Sequence, residues 1–112
     1  MPGIDPTQLV KDMEAAATGV IKQDVSSLRG FAAQQLNAIA QQAVFVAEGI
    51  ADGSIAKGAR DYFLTSLKEM ARSFVNTLAG LVTVVIEQVW NAVVGVVWAA
   101  INKATGLSLV VP

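Results

Sequence analysis

Between Pro6 and Pro112 the chain contains no proline. Proline removes a backbone N–H and sets its ring against the preceding turn, breaking or kinking a helix interior at about 3 kcal/mol or more. Its absence over so long a stretch leaves helix open to almost the whole chain, provided the side chains follow a helical period. In the first half they do. Asp5-Pro6-Thr7 reads as a helix start, with Asp5 as N-cap and Pro6 at the first helical position. Val10, Met13, Ala17, Val20, Ile21, Leu28, Phe31, Leu36, Ile39, Ala43, Val46 and Ile50 then recur at helical spacing, while Lys11, Glu14, Lys22, Gln34, Asn37 and Gln41 fall mainly on the other side. No alternation at period two is present, which excludes a strand reading there.

Ala51-Asp52-Gly53-Ser54 is the strongest turn signal, with Gly53 as C-cap and Ser54 as a fresh N-cap. The fold class expected is therefore all-α. It is a long antiparallel helical hairpin, with helix 6–51, turn 52–54 and helix 55–104, forming one domain over 1–112 and assembling into a homo-oligomeric bundle. Each arm would reach roughly 70 Å at 1.5 Å per residue. The competing arrangement is a compact bundle of three or four helices, broken at Gly30 and near Gly80.

The two arms differ in polarity. Residues 57 to 72 carry both signs, including Lys57, Arg60, Asp61, Lys68, Glu69 and Arg72. From Ser73 to Asn102 the only charge is Glu87. Segment 74–102 is transmembrane-like in length and apolarity. Its Val, Ile and Leu residues favour insertion by roughly 5 kcal/mol, which Glu87, Gln88 and Asn91 largely offset. A lone copy is thus marginal in lipid, and an assembly that pools the polar groups is not. On a continuous helix Asn76, Gly80, Glu87, Asn91, Gly95 and Asn102 share one broad stripe, the small-and-polar pattern of helix contacts in membranes.

Glu87 is expected to be a buried polar group that fixes helix register, paired across the hairpin with Lys22. Asn91, Gly80 and Gly95 complete the expected assembly face. The uncharged Ala/Gln stretch from Phe31 to Ala47 is expected to pack against other helices while keeping hydrogen-bonding capacity.

Composition narrows the function. The chain is 54% hydrophobic, only 15% charged, and has net charge −1, so no basic field points to nucleic acid. There is no Cys and no His, which removes thiol chemistry, disulfides, imidazole acid–base work and the usual zinc sites. A single carboxylate in an apolar stretch, with no second acid or metal cluster, makes no active site. Gly53-Ser54-Ile55-Ala56-Lys57-Gly58 lacks the spacing of a phosphate loop and follows no strand. No enzyme activity, cofactor, metal site or small-molecule substrate is expected.

The first arm resembles the Ala/Gln-rich amphipathic helices of granule-coating phasins, but no motif carries over. Asp52-Gly53-Ser54 stands where secreted helical hairpins carry Trp-x-Gly. The expected function is a self-assembling structural subunit, its apolar C-terminal arm entering membrane lipid or lining a conduit, of virion-associated or pore-forming type. The alternative is a soluble helical-hairpin interaction module, of secreted-hairpin or lipid-granule-coat type. With no signal peptide visible at the N-terminus, the expected locations are membrane or virion, or alternatively the cytoplasm.

Overall fold

A computed structural model describes residues 3–21, 30–81 and 85–111. Among these, four α-helices follow one another with no strand: α1 (Pro6–Ile21), α2 (Gly30–Asp52), α3 (Arg60–Leu81) and α4 (Ile86–Thr105), with a 3-10 turn Lys57–Ala59 leading into α3. The all-helical class agrees with the sequence. The continuous two-arm hairpin does not appear, because each arm is divided into two helices.

The second arm is divided inside the apolar run. α3 closes at Leu81, and Val85 adopts an extended conformation (φ −91°, ψ 104°) before α4 begins. Residues 82–85 are Val-Thr-Val-Val, four β-branched side chains whose restricted χ1 lowers helix propensity. The local preference is weak, and tertiary packing decides it. A straight hairpin offers each arm one partner face, whereas folding each arm in two surrounds the apolar faces on several sides. The radius of gyration is 13.6 Å, and the extents of 40 × 23 × 21 Å fall well short of a hairpin's length.

The core draws on every helix. Leu9, Met13 and Ala17 of α1 meet Leu36, Ile39, Ala43 and Val46 of α2, Leu64, Leu67, Phe74 and Leu78 of α3, and Val89, Val93, Val97 and Ile101 of α4. α1 packs on α2 and α4, α3 packs on the same two, and α2 and α4 also touch each other. The expected transmembrane-like segment 74–102 therefore turns its apolar faces inward. No helix among the described residues is long and apolar enough to cross a membrane. The expectation of a transmembrane helix fails because the run is two helices, each with a polar outer face.

Capping follows the sequence at one end and departs from it at the middle turn. Asp5 Oδ1 accepts from the Thr7 N–H at 3.0 Å and, more weakly, from the Gln8 N–H at 3.4 Å, as an N-cap should. Gly53 takes φ +84° just past α2, the left-handed conformation that glycine adopts without strain. Ser54 does not cap the next helix. Its N–H and hydroxyl both donate to Asp52 Oδ1, at 2.8 and 2.6 Å, and α3 starts six residues later. α2 and α3 then run antiparallel, with Gln35 Nε2 donating to Ser73 Oγ at 3.3 Å and Phe45 beside Phe63.

Candidate interaction surface

The period of α4 sorts its side chains sharply. Val89, Val93, Val94, Val97, Trp98, Ile101 and Ala104 are buried. Glu87, Gln88, Asn91, Gly95, Ala99 and Lys103 are exposed on the opposite side. Asn91, Gly95 and Ala99 lie one turn apart along one exposed line of the helix.

Glu87 is exposed, not buried. Since α4 begins at Ile86, Glu87 occupies its first turn instead of the middle of a long helix. There the side chain reaches water beside the unpaired N–H groups of the helix start. Among the described residues no polar or charged side chain is buried. Lys22 lies outside the described residues, so its expected pairing has no described geometry, and a solvated Glu87 does not require it.

The other expected assembly residues divide between two helices. Asn91 and Gly95 are exposed on α4, and Gly80 is exposed near the end of α3. A Cβ built on Gly80 or on Gly95 would meet nothing within 4 Å. The break before α4 ends the single stripe that a continuous helix would have carried from Asn76 to Asn102. The Ala/Gln stretch is split by face: Leu36, Ile39, Ala40, Ala43, Val46 and Ala47 are buried, whereas Gln34, Asn37 and Gln41 face water.

Two features escaped the sequence reading. Phe45 and Phe63 pack with ring centroids 5.9 Å apart, and Tyr62 meets Phe63 edge-on at 5.3 Å. Phe45 and Tyr62 are 55% and 75% exposed, so this cluster presents aromatic surface outward. The signal was available, because a turn centred near Gly53 and Ser54 sets Phe45 opposite Phe63. The second feature is Arg72, whose guanidinium lies 4.1 Å from the centre of the Trp90 ring. Such a contact contributes about 0.5–1 kcal/mol at an exposed site. It gives Arg72, one of the charges of the mixed-sign segment 57–72, an intramolecular role.

Among the described residues no three His, Cys, Asp or Glu side chains come close enough to hold a metal. One concavity lies between the start of α1 and the end of α4, lined by Ile4, Asp5, Leu9, Ala100 and Lys103 among others. Comparison with protein-family models, curated proteins and solved structures finds no match to this chain.

Proposed function

We propose that this chain is a non-enzymatic helical structural subunit that associates with copies of itself through the outer stripe of α4. Gly95 carries the reading. A glycine inside a helix weakens it by about 1 kcal/mol relative to alanine, and close packing within the chain does not call for it, because the space above it is open. With Asn91 and Ala99 one turn to either side, a second helix approaches here closely enough for backbone contact. Asn91 supplies hydrogen bonds at the margin. The same geometry works between bundles in water and between helices at a lipid surface.

Gly95→Leu tests this reading. The added side chain lies on open surface, so the isolated subunit keeps its fold and gains helix propensity. Association, followed by sedimentation, should weaken. A variant that associates as the parent does, or a parent that stays monomeric at micromolar concentration in buffer and in detergent, ends the proposal. Release of dye from vesicles by the parent and not by Gly95→Leu would extend the proposal to a membrane or conduit assembly.

A second reading, an interaction module for a different protein, is favoured by the exposed Phe45–Tyr62–Phe63 cluster. Aromatic side chains of this kind anchor protein–protein contacts. Tyr62→Ala with Phe45→Ala separates the two readings, since it should leave association through α4 unchanged.

A further inference from the structure

We infer that residues 107–111 form a strap that Asn102 holds against the α3–α4 side of the bundle, and that its release enlarges the self-association face of α4. The inference rests on the self-association proposed above.

The strap begins at the end of α4. Gly106 takes φ +72°, and its N–H donates to the Asn102 carbonyl at 2.8 Å. This turn sends the chain back along the helix it has just left. The Leu107 N–H donates to Thr105 Oγ1 at 3.3 Å. Asn102 then holds the returning segment through both groups of its amide. Nδ2 donates to the Leu109 carbonyl at 3.1 Å, and Oδ1 accepts from the Leu109 N–H at 2.8 Å. The amide pairs with Leu109 as a neighbouring strand would, saturating one residue of an otherwise irregular segment.

Beyond the clip, Leu109 packs against the core. Val111 reaches the groove lined by Lys68, Glu69, Arg72 and Trp90. The two residues from Leu109 to Val111 reach at most about 7 Å, and Trp98 lies about 6 Å from Asn102 along the α4 axis, so the segment leaving the clip toward that groove reaches the level of Trp98. Trp98 lies one turn before Asn102 on the same side of α4 and is only 4% exposed. Its indole N–H has no acceptor among the described residues, which leaves a buried donor unsatisfied. The strap itself is Leu-Ser-Leu-Val-Val, with Val110 79% exposed.

The strap adjoins the stripe of Asn91, Gly95 and Ala99. Lifting it joins that stripe to the Trp98 side of the helix and frees an apolar segment with strong strand preference. The partner that fits is a second copy of this chain, because the uncovered surface continues the exposed stripe of Asn91, Gly95 and Ala99 proposed above as the contact between copies.

The test uses the full chain with Asn102→Ala, Asn102→Asp and Leu109→Ser. Amide exchange at Leu109 reads the clip, and sedimentation reads association. Losing both hydrogen bonds should speed Leu109 exchange about tenfold or more, while Val93 and Val97 in the core of α4 stay protected. Asn102→Asp keeps an acceptor for the Leu109 N–H and should fall between. Leu109→Ser releases the strap without touching α4, and so replaces Asn102→Ala should that variant not fold.

Association should tighten about tenfold in the released variants, as for loss of a contact near the usual hydrogen-bond strength. Unchanged exchange at Leu109 overturns the clip. Faster exchange with unchanged association in a chain that does self-associate overturns the gate alone. A monomeric parent with associating released variants ends the constitutive assembly proposed above and supports a face available only on release of the strap. Monomers throughout overturn both.

Discussion

Gly49 and Ile55 provide the sharpest test of the packing that sets α2 against α3. Gly49 is buried near the end of α2, and its carbonyl accepts from the Ile55 N–H at 2.8 Å, closing the turn. The Ile55 side chain folds back over it and is 5% exposed. A Cβ at position 49 would lie 2.6 Å from Ile55 Cδ1 and Cγ1, and 3.5 Å from its Cβ. Carbon atoms in contact prefer about 3.5–4.0 Å. The tip could bend aside, but Cγ1 moves only if the whole side chain rotates, and rotation takes it out of the core.

The magnitude follows from two opposing effects. Exposing an isoleucine side chain forfeits about 1.5–3 kcal/mol. Alanine in place of glycine inside a helix returns about 0.8–1 kcal/mol. Gly49→Ala should therefore destabilise the protein by about 1–2 kcal/mol by this balance. In an Ile55→Ala background, itself about 2–5 kcal/mol less stable, the obstruction is gone and only the helix effect remains. There Gly49→Ala should stabilise, by up to about 1 kcal/mol. Urea unfolding followed by far-UV circular dichroism measures all four proteins of the cycle. Substitution effects of the same sign in both backgrounds would refute the reasoning.

Three further outcomes are expected. Asp5→Ala removes the acceptor at the start of α1 and should cost about 1 kcal/mol in the same unfolding assay. The Ser54 hydroxyl, and then its N–H, hold the Asp52 carboxyl below the usual carboxylate range. The stabilisation from this lowered value is present above the ordinary range and fades as pH falls through the Asp52 value of the folded protein; NMR titration of Ser54→Ala should show that value moving up. Glu87→Gln should lower stability by only about 0.3–1 kcal/mol, the share of a charge at a helix start, and a loss of 3–5 kcal/mol would instead indicate a buried pair.

The sequence made the helices legible more clearly than their number. The helical period of Val10, Met13 and Ala17, the Asp5-Pro6 start and the turn at Gly53 each rest on local chemistry, and each reappears in the structure. The division of the second arm does not rest on local chemistry alone. Val82-Thr83-Val84-Val85 weakens a helix without forbidding it, and glycine at position 80 is tolerated inside α3. The choice between a straight arm and a folded one depends on how much apolar surface each leaves uncovered. That quantity belongs to the whole chain, and a window of residues does not contain it.

The same cause explains what became of the candidate site. Reading 74–102 as one helix placed Glu87 at its centre, where an ionised carboxylate demands a partner. Starting α4 at Ile86 moves that residue to a helix end, where it demands nothing. Asn91 and Gly95 keep their relation under either reading, because both lie within α4 and their spacing is a property of one helix. Gly80 loses its place on their stripe for the converse reason. Asn102 gains a role that periodicity has no means of assigning, since its partner Leu109 lies beyond the helix. The residues whose expected places survived are those related within a single helix. The stripe of Asn91, Gly95 and Ala99 lies wholly within α4, so the contact between copies proposed above depends on the register of one helix and not on how the helices pack.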